Sequence, residues 1–242
     1  GAGAMGILYG GLLKRLGHDV KLIVRDYNKK KLLVDKGIYL NLELGRFTVY
    51  PEILHIKEKS KFEVIIVFTK TNDTIEALTT FKENIDKDTY LMSLQNGLGN
   101  LEKLSKFADR SKIIYGTTMA PADLNGFREV SSFGSHLSQF KSGNSENNSF
   151  VKKIAEQFEL SGIHSKVNMN VDNVIWDKVA FNTAMNTICA LLEITPKTIE
   201  ESKNLKKFAL NVAKETCVIG KAFGIVINET NIANNIKLSC IE

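Results

Sequence analysis

The sequence predicts an α/β domain built on a doubly wound parallel sheet, followed by an all-helical domain. Three observations carry that prediction. The chain opens on Gly1-Ala2-Gly3-Ala4-Met5-Gly6, a complete GxGxxG run. Apolar runs at 20–24, 62–69, 90–94 and 113–118 then alternate with helical patterns, as βαβ units require. From Val171 onward the patterns are helical only.

Residues 4–16 read as a helix, Gly17 suits its C-cap, and 20–24 reads as a buried parallel strand. This loop–helix–strand order is that of a Rossmann-type unit, in which a strand precedes the glycines. None precedes Gly1, so the sequence is expected to begin inside the unit. The first two glycines would let the backbone approach a pyrophosphate, and the third would let helix and strand pack closely. The plainer reading is a glycine-rich turn without a ligand. Arg25-Asp26 follows the strand. An acid there would hold a ribose diol, and an arginine would hold a 2′-phosphate. Arg25 comes first and Lys29, Lys30 and Lys31 follow, which favours NADP over NAD. The bland alternative is a set of solvated residues opening a helix.

The next elements follow the same alternation. A short helix is expected at 28–36 and a hairpin at 39–42 and 47–50 around Gly45. The 62–69 strand ends at Lys70, where carboxyl ends of parallel strands place ligand contacts. A helix at 73–85 leads to the 90–94 strand and then to Gln95-Asn96-Gly97-Leu98-Gly99-Asn100. That loop either cradles a ligand or is a turn using Asn and Gly for their backbone tolerance. After the 113–118 strand and Met119-Ala120-Pro121-Ala122-Asp123, a later antiparallel strand is expected at 130–135. A polar loop is expected at 141–149 and a helix at 150–160. The domain boundary falls within 165–170, which assigns 1–166 to the first domain and 167–242 to the second.

Val171 to Ile194 reads as one long helix without Pro or Gly, with Pro196 just beyond it. Its apolar residues spread round the wheel, so it is expected to be buried. Lys178, Asn182 and Asn186, four residues apart, form one polar row along it. Buried amides and a buried ammonium are costly unless paired. Either backbone carbonyls satisfy them, or the row lines a pocket whose ligand is the partner. A second long helix is expected at 200–223, and 228–242 is Asn-rich and poorly patterned.

With 242 residues, 43% hydrophobic and 24% charged, the composition is that of a soluble globular protein. A net charge of +5 with interspersed signs gives no nucleic-acid surface. No apolar run approaches a membrane span. Cys189, Cys217 and Cys240 lack metal or disulfide spacing, and His18, His55, His136 and His164 are scattered, so no metal site is expected. A reducing cytoplasm fits these counts.

The ordered set resembles the ketopantoate reductases, that is, 2-dehydropantoate 2-reductases. It comprises the GAGAMG opening, Lys70 after a buried strand, the Gln95-Asn96-Gly97 loop, Gly116-Thr117-Thr118 followed by Ala120, and W-x-K-x-x-x-N-x-x-x-N from Trp176 to Asn186. The resemblance runs from residue 1 to about 227. It implies a Rossmann-type domain and a C-terminal helical domain, reducing 2-dehydropantoate to (R)-pantoate with NADPH on the route to pantothenate and coenzyme A. Carried over, Gly1, Gly3 and Gly6 hold the pyrophosphate, and Ala2, Ala4 and Met5 complete the cofactor-binding motif. Arg25 and Lys70 take the 2′-phosphate end. Asn96 lies between nicotinamide and substrate, and Ala122 near the nicotinamide. Lys178 matches the catalytic lysine, and Asn182 and Asn186 match substrate-binding asparagines. Two features depart from the family pattern. Pro196 falls near the place of a third asparagine, and the segment at Ser239 and Glu242 does not match the family's serine and glutamate.

The sequence therefore reads as an NADPH-dependent reductase of a small 2-oxo acid, with a homodimer compatible. One rival is a related NADP-linked reductase of another 2-oxo acid. The other is a non-catalytic dinucleotide-binding sensor, which would have no need of a general acid at Lys178.

Overall fold

The structure, a computed structural model, describes residues 1–146 and 148–239. The chain divides into two compact units. The first comprises Gly1–Gln95 and Gly99–Met169, and the second Asn96–Leu98 and Asn170–Glu242.

The first unit begins with α1 (Ala4–Arg15), β1 (Lys21–Val24), α2 (Tyr27–Lys36), β2 (Ile38–Leu42), β3 (Gly45–Val49) and β4 (Glu52–His55). It continues with β5 (Val64–Val67), α3 (Thr74–Phe81), β6 (Tyr90–Ser93), α4 (Asn100–Leu104) and β7 (Ile113–Thr118). It closes with β8 (Asp123–Asn125), β9 (Glu129–Ser132), β10 (Ser138–Ser142), α5 (Ser149–Ser161) and β11 (Ser165–Val167). The second unit holds α6 (Val171–Leu192), α7 (Pro196–Glu201), α8 (Lys203–Ala222) and α9 (Glu229–Ser239). The fold class is the expected one, a Rossmann-type α/β region followed by helices.

Three sheets make up the α/β unit, ordered β1-β4, β11-β10-β7-β6-β5 and β3-β2-β9-β8. β5, β6 and β7 run parallel, and their apolar residues are the continuous runs that a sheet covered on both faces needs. β9 is antiparallel to β8 but parallel to β2, so the strand expected at 130–135 is antiparallel on one side only. A groove of about 760 Å³ lies along β1 and β5, lined by Leu22, Ile23, Val64, Ile66 and Tyr9 among others.

Several expectations are corrected. Lys141 and Ser142 are not in a polar loop. They lie in β10, buried, because β10 pairs with β7 on one side and β11 on the other. The Asn-rich tail is not patternless: α9 buries Ile232 and Ile236, four residues apart on one helical face. Cys240 and Glu242 lie outside the described residues, as does the side chain of Ser239. The helix at 171–194 is not buried all round. Ala180, Ala184, Met185 and Ile188 pack with Ala209, Ala213, Cys217 and Ile236, while Leu191 is 77% and Leu192 52% exposed. The packing within this unit covers one face of α6 and leaves those two leucines on another. No helix among the described residues is long and apolar enough to cross a membrane.

Helix α1 organises the first unit. Ile7, Leu8, Tyr9 and Leu12 are almost wholly inaccessible, and each such side chain contributes roughly 1.5–3 kcal/mol by burial. Tyr9 also carries a polar handle. Its hydroxyl donates to Thr118 Oγ1 at 2.7 Å and lies 2.6 Å from Ser138 Oγ, tying α1 to β7 and β10. Burial raises its pKa. Tyr9→Phe keeps the ring packing and removes one of several hydrogen bonds from each of two buried hydroxyls, Thr118 and Ser138, which stay bonded to one another. It is expected to cost about 1–2 kcal/mol in urea unfolding with an unchanged slope.

Candidate functional site

The glycine loop and the first turn of α1 form one end of the site. Gly3 is the N-cap, in extended backbone, with no side-chain cap, and the first turn carries no acid. Such a terminus presents N–H groups and the positive end of the helix dipole to an anion. A Cβ built on Gly3 meets nothing within 4 Å, so the space above it is open. A Cβ on Gly6 would stand 1.7 Å from the Gly1 carbonyl oxygen, so only glycine allows the loop to fold back on α1. Ala2 is packed into the core, and Ala4 and Met5 are half-buried. The residues present fit a dinucleotide's phosphates: a cradle open at Gly3 and closed to any side chain at Gly6.

Arg25 stands at the carboxyl end of β1, exposed, with its guanidinium 3.9 Å from Asp73 and 4.0 Å from Glu76. Its neighbour Asp26 is the N-cap of α2 and accepts from the Lys29 backbone N–H at 2.6 Å. That oxygen is committed to the helix, which weighs against Asp26 as a ribose ligand. The Lys29 ammonium donates to the Ala2 carbonyl at 2.8 Å, joining α2 to the glycine motif. Lys70 is exposed three residues beyond β5 and precedes a short 3₁₀ turn at Thr71–Asp73.

A group of buried side chains, Gln95 and Asn100 of the expected ligand-cradling loop among them, fixes the ends of β5 and β6. Gln95 is buried. Its amide donates to the Thr69 carbonyl at 2.6 Å and to Thr74 Oγ1 at 3.0 Å, and its oxygen accepts from Ser93 Oγ at 2.8 Å. Asn100 donates to the Gln95 carbonyl at 3.1 Å. A glutamine directly after an apolar strand was the available signal, because a buried amide must find partners. The loop tip bends through Gly97 and Gly99, at φ +92° and +78°, a region that favours glycine. Asn96, in that tip, is exposed and groups with the second unit. Ala122 is half-buried against the core just ahead of β8.

Helix α6 carries the polar row. Lys178 and Asn182 are half-buried, and Asn186 is exposed, so the expectation of two buried amides holds for neither in full. Burial lowers the Lys178 pKa from 10.5 to about 8. That value suits a group that gives up a proton near neutral pH.

The family model described as Ketopantoate reductase PanE/ApbA matches residues 1–147, and its C-terminal counterpart matches residues 170–241. A 2-dehydropantoate 2-reductase of Pyrococcus abyssi (strain GE5 / Orsay) is 34% identical over 230 residues, 93% of this chain and 73% of that protein. One from Lactococcus lactis subsp. lactis (strain IL1403) is 26% identical over 240 residues, 98% of this chain and 77% of that protein. Two solved structures share the fold. D-mandelate dehydrogenase with NADH and anilino(oxo)acetate has a TM-score of 0.93 at 24% identity, covering 99% of this chain and 78% of that one. The 2-dehydropantoate 2-reductase of Geobacter metallireducens GS-15 has a TM-score of 0.91 at 23% identity, covering 100% and 81%. Family models over both units and a relative at 34% identity lead to one conclusion: this chain belongs to the ketopantoate reductase family.

Proposed function

We propose that this chain reduces 2-dehydropantoate to (R)-pantoate with NADPH, as a cytoplasmic enzyme of pantothenate and coenzyme A formation. The reading rests on Lys178, half-buried on α6, where burial lowers the ammonium pKa from 10.5 to about 8. NADPH, when bound, supplies the hydride. Residues 1–166 hold it in this reading. Gly1, Gly3 and Gly6 shape the cradle, the N-terminus of α1 faces the pyrophosphate, and Arg25 and Lys70 meet the 2′-phosphate. Asn96 and Ala122 serve the nicotinamide end. Residues 167–242 serve the substrate. Lys178 Nζ gives its proton to the ketone oxygen as negative charge develops there. Asn182 and Asn186 offer neutral donors and acceptors to the substrate's hydroxyl and carboxylate.

A second reading, reduction of another 2-oxo acid, is favoured by one feature. Pro196 begins α7 near the position where the resemblance implies a third substrate-binding asparagine. The D-mandelate dehydrogenase complex, which holds NADH and an oxo-acid compound, has the same fold.

Lys178→Ala is expected to fold, to bind NADPH as the parent does, and to lose roughly 10²–10⁴ in turnover. Near-normal turnover in a folded variant would remove the lysine from the chemistry. The pH dependence has a definite sign. A general acid works protonated, so kcat should hold below about pH 8 and fall above it. The same depressed pKa means that the charged form is disfavoured in the folded state. Below about 8 that cost is fully present, and it is relieved as pH rises toward 10.5, so stability gains in that window in the parent and not in the Ala variant.

Arg25→Ala is expected to weaken NADPH by roughly tenfold while leaving NADH within a factor of about two, because only the 2′-phosphate needs the guanidinium. Equal affinity of the parent for both cofactors would overturn the Arg25 assignment.

A further inference from the structure

The segment 119–122 joins β7 to β8, and on the function proposed above its Ala122 serves the nicotinamide end. Met119 N–H donates to the Leu137 carbonyl at 2.8 Å, and Ala120 N–H donates to Thr118 Oγ1 at 3.1 Å. Pro121 has no N–H to give. Its carbonyl is held by Ser132, the last residue of β9, whose hydroxyl donates to it at 2.5 Å. Ser132 Oγ also lies 2.7 Å from Nε2 of His136, in the loop before β10. The half-buried His136 ring makes a further hydrogen bond to the backbone of Gly162, the C-cap of α5. That contact favours the charged ring, so Gly162 supplies its carbonyl oxygen. Ser132 is 1% exposed and out of a substrate's reach, so this serine–histidine pair is a strut and not a nucleophile with its base.

The protons in this chain of contacts can be counted. A carbonyl only accepts, so the Ser132 hydrogen goes to Pro121. Ser132 Oγ must then accept from His136, which requires a hydrogen on Nε2. The Gly162 carbonyl requires a hydrogen on the other ring nitrogen. All three contacts are satisfied only by the doubly protonated, charged ring. A neutral ring has one hydrogen fewer, and one contact then sets lone pair against lone pair. Burial, the largest influence, lowers the His136 pKa below the usual histidine value. The Gly162 carbonyl and the carboxylate of Glu43, between β2 and β3, oppose that shift, while His164, just ahead of β11, adds to it. Resting on the cofactor reading, we propose that His136 is a positioning residue for the nicotinamide end of the dinucleotide. In its charged form it holds Ser132 on the Pro121 carbonyl and so fixes the backbone that leads into Ala122. Loss of the proton loosens that backbone, and the nicotinamide end binds more weakly.

The test uses NADPH and 2′-phospho-ADP-ribose, the same molecule without the nicotinamide, in calorimetric titrations from about pH 7.5 to about pH 5.5. The ratio of the two dissociation constants isolates the nicotinamide end, because the 2′-phosphate titrates in both ligands. In the parent, NADPH should gain roughly three- to tenfold on 2′-phospho-ADP-ribose as the pH falls, the worth of about one hydrogen bond. His136→Gln is neutral at every pH, and Ser132→Ala cuts the link to Pro121. Each should remove that gain, with melting temperatures checking that the variants fold. His164→Asn should retain it, which separates the two histidines. A parent ratio that does not move with pH overturns the proposal. So does a gain that survives in the His136 or the Ser132 variant, or one that disappears with His164. If the substituted chains do not fold, the parent decides. Near about pH 6.5, NADPH should take up more protons on binding than 2′-phospho-ADP-ribose does, read from titrations in two buffers of different ionisation enthalpy. Equal uptake overturns the proposal. A parent that binds neither ligand defeats the cofactor reading itself, an outcome distinct from a parent that binds both with a ratio indifferent to pH.

Discussion

The first unit depends on a steric constraint at Gly6. Any side chain there would drive a carbon into the Gly1 carbonyl oxygen, and the loop could not turn into α1 where it does. Because the constraint is met, α1 starts at Ala4 and lays Ile7, Leu8, Tyr9 and Leu12 into the core. The Tyr9 hydroxyl then joins α1 to β7 and β10, and Phe68 and Phe158 pack against its ring. The same turn leaves Gly3 with open space over it and a helix terminus without a side-chain cap. One packing requirement thus sets both the core of this unit and its anion-accepting end.

The second unit follows a different logic. Its core is small residues and isoleucines: Ala180, Ala184, Ala209 and Ala213 let α6 and α8 approach closely, and Ile232 and Ile236 close the unit from α9. Gly220 serves the same end. A Cβ there would meet Ile227 at 2.3 Å and the Trp176 ring at 2.9 Å. Trp176 and Lys178 are two residues apart on α6, so the packing of the tryptophan fixes the stretch of helix that carries the lysine.

The sequence was legible where its patterns were long and apolar. The strands around 64–67, 90–93 and 113–118 and the helices at 4–15 and 203–222 stand close to where periodicity puts them. It was illegible where polar residues are buried by partners distant in sequence. β10 reads as a loop because Lys141 and Ser142 look solvated, yet pairing to β7 and β11 buries them. β4, β8 and β11 are too short to show a period, and α9 has only two inward isoleucines among asparagines. In the candidate site, the glycine motif and the α6 row could be read directly, because spacing alone defines them. The tie from Lys29 to the glycine motif could not, since it depends on a carbonyl 27 residues away. Gln95 was visible, but the Thr69, Thr74 and Ser93 contacts that make it a fixture of the strand ends were not.

On the function proposed above, a family member with this loop, this basic edge and this desolvated lysine is a working reductase. The most direct measurement is the loss of NADPH absorbance when purified protein is mixed with 2-dehydropantoate, with the product identified by mass and chirality. The expected result is NADPH consumption matched one to one by (R)-pantoate, with other 2-oxo acids reduced more slowly. Tight NADPH binding without consumption, for 2-dehydropantoate and for every other 2-oxo acid offered, would contradict it and leave a dinucleotide-binding protein that performs no reduction.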